Sequence, residues 1–320
     1  MKIFITGGTG FLGQRVIKRL QKEYSDISGL SRSENSGGKL QALNIRPVSG
    51  SLENIDQWKQ ELSDIDIIIH CAAPVVFWGK WELYQQGIVD ATKNLFRAAE
   101  ISGVKRFIYI SSESVLQDKK DLIDIDETEP YPASPNSRYG KAKMLAEKFI
   151  LGQESKMESI IIRPPFIWGK GADSINTLIE KVKSGEFIWI DHGRSLFEMV
   201  YVDNAADAIV LACEKGTDKN VYFVTDDNTQ TVKEFLSKLF IAQGVNTPEK
   251  SIPKLFAGIA ATGLETLWRI FNIQKQPPIT RFDLAFVAMS RKYYIEKIKR
   301  DLGYRPVVSE QQGMEIMKHG

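Results

Sequence analysis

The fold is decided by the stretch Lys2-Ile3-Phe4-Ile5-Thr6-Gly7-Gly8-Thr9-Gly10-Phe11-Leu12-Gly13. Apolar residues over 2–6 predict a buried strand, and a helical pattern begins directly after the glycines. In such a strand–helix turn Gly7 allows the tight turn, Gly10 lets the backbone approach a pyrophosphate, and Gly13 lets the helix pack on the sheet. The stretch therefore predicts a dinucleotide site at a helix N-terminus; the alternative is a purely structural turn.

Outside this stretch, strands rich in β-branched residues alternate with segments of helical period. We predict strands over Lys2–Thr6, Asp26–Ser31, Arg46–Ser49, Asp66–His70, Arg106–Ser111 and Ser159–Arg163, and helices over Leu12–Glu23, Asn54–Leu62, Trp81–Ser102 and Arg138–Gly152. The alternation predicts an α/β fold with a Rossmann-type doubly wound parallel sheet. The pattern loosens after residue 165, which predicts a smaller, partly interleaved C-terminal substrate domain. We expect the Rossmann domain at 1–165 plus about 201–226, and the substrate-binding region at 166–200 and 227–320.

Composition limits the class of protein. The chain has 320 residues, with 42 lysines and arginines against 40 aspartates and glutamates, so its net charge is +2. This balance shows no basic excess, and we do not expect nucleic acid as a partner. Two cysteines cannot form a disulfide framework, which favours a reducing compartment. We find no signal-peptide pattern and no apolar run of about 18 residues. The expected protein is cytoplasmic, without a transmembrane segment.

The end of the second predicted strand indicates which dinucleotide binds. A carboxylate at this position would bind the ribose 2′-hydroxyl of NAD, whereas an arginine can accept the 2′-phosphate of NADP. The sequence here is Ser31-Arg32-Ser33, and the first acid follows only at Glu34. Two hydroxyls beside a guanidinium would form a phosphate clamp. The sequence favours NADP(H), with NAD(H) as the alternative cofactor.

A serine, a tyrosine and a lysine form the candidate catalytic set. Tyr139 and Lys143 are four residues apart at the start of a predicted helix, so their side chains share a face. A neighbouring ammonium favours the phenolate and would lower the tyrosine pKa from its ordinary value of about 10. Ser112 ends the fifth strand, and ligands of parallel sheets bind beyond the carboxyl ends of strands. We expect Ser112, Tyr139 and the glycine loop at one edge.

With these residues the chain resembles an extended short-chain dehydrogenase/reductase. It resembles most closely the 3-beta-hydroxysteroid dehydrogenase-like branch of the NAD(P)-dependent epimerase/dehydratase group. The matching segments run through most of the chain: Thr6–Gly13, Gly50-Ser51-Leu52, His70-Cys71-Ala72-Ala73, Ser111–Val115, Tyr139 with Lys143, Arg163-Pro164-Pro165-Phe166-Ile167-Trp168-Gly169 and Val200-Tyr201-Val202-Asp203-Asn204. The resemblance implies an NAD(P)-dependent oxidoreductase.

The resemblance also implies residue roles. Tyr139 would be the general acid/base, Ser112 would hydrogen-bond the substrate oxygen, and Lys143 would bind the nicotinamide ribose and lower the tyrosine pKa. No metal is expected, because the cofactor carries the hydride. The implied cofactor-binding residues are Gly7, Thr9, Gly10, Phe11, Leu12, Gly13, Ser31, Arg32, Ser33, Ser51, Leu52, Ala72, Ala73, Tyr139, Lys143, Pro164 and Ile167.

The sequence departs from the family pattern at two places. Ser51 stands where relatives commonly have aspartate beside the adenine, so we expect a different contact there. Ile88 stands where an asparagine opens the usual Asn-Val-x-Gly-Thr run, which puts any water-ordering role at that point in doubt. His70, at a strand end, is expected to be held by backbone hydrogen bonds near the cofactor and not to act as a base.

Three functions are compatible with this reading: a carbonyl/alcohol oxidoreductase, a nucleotide-sugar epimerase and a non-catalytic dinucleotide-binding protein. The intact serine–tyrosine–lysine set disfavours the last, and Glu113 followed by Ser114 lacks the adjacent acid pair of a dehydratase. We favour the oxidoreductase, acting on a bulky apolar substrate that is steroid-like or a long-chain keto or hydroxy compound. The expected substrate-contacting residues are Trp78, Ser114, Phe166 and Trp168.

One amphipathic segment, residues 252–271, has three interpretations. Its apolar residues recur near helical period, and Lys254, Glu265 and Arg269 interrupt them. The segment could be a lid over the substrate, a peripheral contact with a membrane surface, or ordinary core packing. A homodimer through two long helices is common in relatives and is compatible with this sequence.

Overall fold

The computed structural model describes residues 1–273 and 275–318; His319, which the sequence predicts to be a solvated tail residue, lies outside them. The strands of the described residues, in chain order, are β1 Lys2–Thr6, β2 Asp26–Ser31, β3 Arg46–Ser49, β4 Ile67–His70, β5 Arg106–Ile110, β6 Leu122–Ile125, β7 Glu158–Arg163, β8 Phe166–Trp168, β9 Trp189–Ile190, β10 Leu196–Phe197, β11 Met199–Tyr201, β12 Asn220–Phe223, β13 Gln230–Thr231, β14 Ser251–Ile252 and β15 Arg291–Tyr293.

The helices of the same residues alternate with these strands. They are α1 Phe11–Leu20, α2 Glu34–Ala42, α3 Trp81–Tyr84, α4 Ala91–Ile101, α5 Arg138–Leu151, α6 Asp173–Lys183, α7 Val202–Lys215, α8 Val232–Ala242, α9 Lys254–Ile270, α10 Arg281–Ala288, α11 Glu296–Leu302 and α12 Glu310–Lys318. Short 3₁₀ turns occupy 55–57, 59–62, 113–115 and 191–193, and a π-helical turn joins α3 to α4 at 85–90. No described helix is long and apolar enough to cross a membrane.

Seven parallel strands form the central sheet, in the order β12-β7-β5-β4-β1-β2-β3. The strand order reverses between β1 and β4, where Ile3 pairs with both Ile27 and Ile67. Side chains alternate between the two sheet faces, so Ile67 and Ile69 join the core beneath α1 and α7 while Ile68 joins the core beneath α4 and α5. Both faces are covered, which explains the continuous apolar strands. The predicted doubly wound fold is confirmed.

The C-terminal part interleaves with earlier segments of the chain, as expected. Strand β15 pairs in parallel with β6, and β11 pairs with β8, so late segments of the chain lie beside early ones. A separate core of aromatic and aliphatic residues holds α6, α8 and α12 together. A smaller cluster joins α9 to α10. The exact domain boundaries stay a prediction.

Three local predictions were wrong or incomplete. Helix α2 was not predicted, because Gly37 and Gly38 lie in it and only Leu40 is buried. The expected helix 54–62 is two 3₁₀ turns, separated by Trp58 at φ −137°, whose ring stacks on Phe4 at 5.4 Å. The expected helix 81–102 is helical throughout but contains the π turn, a feature that side-chain periodicity does not reveal.

Candidate active site

The glycine loop meets the end of β4. Gly7 has φ +72°, and a Cβ atom there would lie 2.7 Å from the Ala72 nitrogen, so only glycine fits. The Ala72 amide donates to Thr6 Oγ1 at 3.3 Å, and the Gly10 amide donates to the Gly7 carbonyl at 3.0 Å. These contacts place Ala72 against the loop, and Ala73 follows it in the sequence. Thr9, Phe11, Leu12 and Gly13 belong to the loop itself and to the start of α1.

The start of α1 fits a phosphate group. Its N-cap residue is Gly10, and no side chain caps it. The first amides of a helix have no intrahelical partner, and with the helix dipole they favour an anion. Close backbone packing at Gly7 and an uncapped helix start are what a bound pyrophosphate requires. The described residues of this loop therefore fit a dinucleotide.

The ends of β2 and β3 also lie at this edge. The Gly50 amide donates to the Ser31 carbonyl at 2.9 Å, which sets Ser51 beside the end of β2. The Trp58 indole donates to the Ser51 carbonyl at 2.8 Å, and the Leu52 side chain is buried. The predicted adenine-side residues are thus brought together with the Ser31–Ser33 segment.

The two serines of the expected phosphate clamp already have local partners. Ser33 is the N-cap of α2, and its hydroxyl accepts from the Ser36 amide at 3.2 Å. The Ser31 hydroxyl donates to the Ser33 carbonyl at 2.8 Å. Arg32 is exposed and makes no hydrogen bond or ion pair within 1–273 and 275–318. Of the three residues, the guanidinium remains the strongest candidate for binding a 2′-phosphate.

The backbone brings the catalytic candidates together. Ser112 caps the 3₁₀ turn 113–115, its hydroxyl accepting from the Ser114 amide at 3.2 Å. Helix α5 begins beside this turn, and a Cβ atom at Gly140 would lie only 2.4 Å from the Ser114 carbonyl oxygen. Tyr139, in the first turn of α5, is therefore held against the serine turn. The Ser114 side chain is buried there, and its hydroxyl has no partner.

The segment after β7 completes this edge. The Glu113 amide donates to the Pro164 carbonyl at 3.1 Å, which attaches the serine turn to that segment. Ile167 pairs with Val200 where β8 runs beside β11. Pro164 and Ile167, the residues expected near the nicotinamide, therefore lie on the same side of the sheet as Ser112.

Lys143 is buried close to the Tyr139 ring. Its side chain is 2% exposed, and Nζ donates to the Ile110 carbonyl at 2.7 Å. Nζ lies 4.7 Å from the Tyr109 ring centroid and 6.0 Å from that of Tyr139. Burial lowers the pKa of Lys143 to about 8. The ammonium is therefore the main form at neutral pH.

Burial also raises the pKa of Tyr139. This direction is the opposite of what the tyrosine–lysine pairing alone predicts, because burial removes the phenolate from water. The phenol consequently keeps its proton at neutral pH. In this form it can donate a proton to a substrate oxygen.

His70, the last residue of β4, and Cys71, which follows it, are both uncharged. His70 Nδ1 lies 2.7 Å from Thr6 Oγ1, and Nε2 lies 3.1 Å from Thr92 Oγ1, so hydroxyl groups hold the ring where we expected backbone groups. Burial lowers the pKa of His70 to about 3 and raises that of the Cys71 thiol to about 12. Both groups are neutral at pH 7, consistent with a structural role.

Aromatic rings form a wall beside the tyrosine. The Phe77 ring meets Tyr139 edge-on at 5.6 Å and stacks on Phe282 of α10 at 3.9 Å. Phe286, one turn further along α10, contacts Phe166 at 5.5 Å. The sequence reading missed Phe282 and Phe286, although their i, i+4 spacing was a signal for one helix face.

Trp78 and Trp168 have different surroundings. The Trp78 indole donates to the Ile273 carbonyl at 3.2 Å, and the Arg269 guanidinium lies over its ring at 5.6 Å, so the C-terminal end of α9 meets this wall. Trp168 is fully buried, and its indole donates to an Asp226 carboxylate oxygen at 2.8 Å. The side chain of Trp168 belongs to a core, and we withdraw it as a substrate contact.

Glu113 follows Ser112 in the sequence, but its side chain is bound to other residues. It is buried and accepts hydrogen bonds from Gln117 and from the Tyr293 hydroxyl. Arg291 Nε lies 3.4 Å from its carboxylate, and both side chains of this ion pair are 4% exposed. Residues of strand β15 thus hold the Glu113 carboxylate within the fold, which does not favour a dehydratase role for this acid.

This doubly wound sheet and its glycine loop are those of the extended short-chain dehydrogenases/reductases. More narrowly, the chain belongs to the 3-beta hydroxysteroid dehydrogenase/isomerase family, whose model matches residues 4–254. The protein is therefore an enzyme, an NAD(P)-dependent oxidoreductase of this family.

Two relatives match along nearly the whole chain. A 4-hydroxy-2-methyl-3-oxo-4-farnesyl-3,4-dihydroquinoline-1-oxide ketoreductase from Stigmatella aurantiaca is 31% identical over 99% of this chain and 96% of its own length. A decarboxylating sterol-4-alpha-carboxylate 3-dehydrogenase from Dictyostelium discoideum is 30% identical over 98% of each chain.

Solved structures share the fold. The crystal structure of gox2253 has a TM-score of 0.82 at 26% identity, covering 99% of this chain and 96% of that one. A UDP-glucose 4-epimerase from Thermotoga maritima, solved with UDP-glucose, has a TM-score of 0.76 at 21% identity, covering 100% and 98%. The second likeness concerns the fold alone.

Proposed function

We propose that this enzyme prefers NADP(H) and interconverts the ketone and secondary alcohol of a bulky apolar substrate. The observation that carries the proposal is the edge-on contact of Tyr139 with Phe77, at 5.6 Å, within a wall of phenylalanine rings. This wall sets the candidate proton donor beside an apolar surface. The farnesylated substrate named for the bacterial ketoreductase, and the sterol named for the dehydrogenase, support the same class.

In reduction, the Tyr139 phenol would donate its proton to the carbonyl oxygen, while the Ser112 hydroxyl hydrogen-bonds that oxygen. The Lys143 ammonium would stabilise the phenolate that forms, because its charge lies close to the Tyr139 ring in a site that excludes water. Removing the proton from an alcohol would use the same groups in reverse. When bound, a nicotinamide cofactor supplies or accepts the hydride.

The cofactor residues of this proposal lie along one sheet edge. The amides at the start of α1 would hold the pyrophosphate, Arg32 the 2′-phosphate, and Ser51 and Leu52 the adenine end. Ala72, Ala73, Pro164, Ile167 and Lys143 would line the rest. Their fit depends on the close packing at Gly7 and on the uncapped helix start.

The test is a cofactor assay with a ketone panel. Incubation of the protein with NADPH and steroid or long-chain keto compounds should consume reduced nicotinamide, followed by absorbance. Nucleotide-sugar epimerisation is the runner-up and would give no net oxidation. Strong inhibition by millimolar UDP or dTDP, with no turnover of any apolar ketone, would replace this proposal by the epimerase.

Three further expectations belong to the proposal. Cys71 and Cys213 are free thiols, which supports a cytoplasmic, reducing environment. Residues 166–200 and 227–320 are proposed as the substrate-binding region, because α10 supplies part of the aromatic wall. A homodimer stays a prediction, and size measurement in solution tests it.

A further inference from the structure

Helix α9 exposes an uncharged apolar surface to water. Only a narrow stripe of the helix is buried, at Ala257, Ala261 and Glu265. The other side carries large apolar side chains that are mostly exposed, between 47% for Leu267 and 70% for Leu255. We call this surface the α9 face; its residues are Leu255, Phe256, Ile259, Ala260, Gly263, Thr266, Leu267 and Ile270.

Such a surface is unusual for a protein that only contacts water. The 17 residues of α9 span roughly 25 Å at 1.5 Å per residue, so the face is long as well as apolar. Phe271, 69% exposed, and Ile273 continue it beyond the end of the helix. Contiguous exposed apolar patches on soluble proteins commonly mark interaction sites. A helix with one apolar, uncharged side is also typical of segments that lie flat in a membrane interface.

The charged residues along this segment are mostly basic, and one carboxylate, that of Asp191, accepts from the Lys254 amide at the start of α9. Between residues 250 and 281 the chain has five cationic side chains and one acid, Glu265. Glu265 is buried and pairs with Arg281 at 2.9 Å and with Arg269 at 3.5 Å, so these three groups together carry a net positive charge. The cations are Lys250, Lys254, Arg269, Lys275 and Arg281.

A further arginine reinforces this charge at the C-terminal end of the helix. Arg138 donates to the Gly79 carbonyl beside Trp78, and it lies near Arg269. Burial first, and then repulsion from Arg138, lower the pKa of Arg269. The cationic rim would attract an anionic surface, whereas a symmetric contact with a second copy would bring like charges together.

We propose that the α9 face docks on the surface of an anionic phospholipid bilayer. The apolar side chains would enter the headgroup region, and the cationic rim would contact lipid phosphates. The same helix ends at Trp78, whose indole binds the Ile273 carbonyl. An apolar substrate dissolved in the bilayer would therefore meet the aromatic wall directly; this last step rests on the proposed function, whereas docking does not.

The experiment is flotation of the protein with vesicles, without substrate or cofactor, so that its outcome is independent of the reductase activity. Vesicles of phosphatidylcholine with phosphatidylglycerol should bind the protein, and vesicles of phosphatidylcholine alone should bind it more weakly. The double variant Phe256→Ser/Ile259→Ser should lower the partition constant by about tenfold or more. The double variant Lys250→Gln/Lys275→Gln should lose about fivefold per charge, only with anionic vesicles.

Two matched controls test whether vesicle binding depends on α9 and not on exposed apolar residues in general. Ile101→Ser on α4 and Ile241→Ser on α8 remove side chains that are 86% and 67% exposed away from α9, and should leave vesicle binding unchanged. Thermal unfolding should give the same midpoint for all variants and wild type, which confirms folding. Absence of binding to anionic vesicles would overturn the proposal. So would a dimer in sedimentation equilibrium that the Phe256→Ser/Ile259→Ser variant dissociates.

Discussion

The ring of Phe77 lies flat on the ring of Phe282, with centroids 3.9 Å apart and planes inclined by 10°. Phe77 follows strand β4 of the central sheet, whereas Phe282 belongs to α10, more than 200 residues later. The Phe77 ring also contacts the ring of Tyr139 edge-on. Phe77 therefore links α10 directly to Tyr139, the candidate proton donor.

Loss of the Phe282 ring should weaken the binding of large substrates. Phe282→Ala removes a stacked partner and part of the apolar wall, so KM for a steroid-like or long-chain ketone should rise by about tenfold. A short ketone that does not reach α10 should show little change. Steady-state kinetics with both substrates check this, with Tyr294→Ala at an exposed tyrosine as control. Equal changes for both ketones would contradict it.

Removal of one hydroxyl should nearly stop turnover. Tyr139→Phe keeps the ring that packs on Phe77 but removes the proton donor, so the rate should fall by about 10²–10⁴-fold while cofactor still binds. Rate assays and cofactor titration measure the two effects separately. Tyr24→Phe, at a tyrosine that bonds Glu214, serves as control. Activity above about a tenth of wild type would assign the proton transfer to another group.

Cofactor preference should depend on one guanidinium. Because the Ser31 and Ser33 hydroxyls have local partners, Arg32→Ala should weaken NADP(H) binding by about tenfold and leave NAD(H) nearly unchanged. Fluorescence titration with both dinucleotides tests this. The control is Arg300→Ala, which removes a charge on α11. Equal affinities of the wild type for the two cofactors would contradict the expectation.

The buried ion pair between Arg163 and Glu147 should matter for stability. It joins β7 to α5, with a distance of 2.7 Å and side chains that are 3% and 0% exposed. Arg163→Met would leave a carboxylate without its cation and should cost about 3–5 kcal/mol. Arg46→Met breaks an exposed pair with Glu61 and should cost about 0–1 kcal/mol. Urea unfolding measures the free energy of unfolding of both variants. Comparable losses would contradict the expected difference between the buried and the exposed ion pair.

Glu198 should make stability pH-dependent. It is 4% exposed, and burial raises its pKa to about 7 from 4.5. The folded state therefore holds an extra proton between pH 4.5 and 7, so this group's contribution to stability falls as pH rises through that window.

Neutralising the Glu198 carboxyl should remove that dependence. Glu198→Gln should be more stable than wild type by about 2–3 kcal/mol at pH 8 and nearly equal to it at pH 4.5. Thermal or urea unfolding at both values measures the difference. Glu154→Gln, at an exposed position, should show no such trend. A gain at pH 4.5 as large as that at pH 8 would show that titration is not its cause.

Local motifs made much of this molecule predictable. The strand–glycine–helix order and the buried isoleucines of β4 indicate the parallel sheet. Tyr139 and Lys143 lie on the same face of α5 because they are four residues apart. Features that depend on distant contacts could not be read in the same way. Phe282 reaches the site only through tertiary packing, and Trp168, close in sequence to Phe166, turns into a core instead.

Hydrogen-bond partners were the other part that the sequence did not reveal. The ring of His70 lies between Thr6 and Thr92, which belong to different elements. The Ser33 hydroxyl caps α2, a helix that was not predicted because it contains two glycines, and the Ser31 hydroxyl donates to the Ser33 carbonyl. In both cases polar groups found partners whose positions depend on the folded backbone.

The contact at Gly140 has an evolutionary consequence. A single methyl group there would collide with the Ser114 carbonyl oxygen. The spacing of Tyr139 from the serine turn is therefore set by the contact between the backbone of α5 and the backbone of that turn. Side-chain replacements elsewhere cannot easily alter that spacing. The aromatic wall, by contrast, consists of side chains from α10 and neighbouring segments. Descendants of this chain could therefore acquire new substrates by exchanging those side chains while inheriting the reacting centre intact.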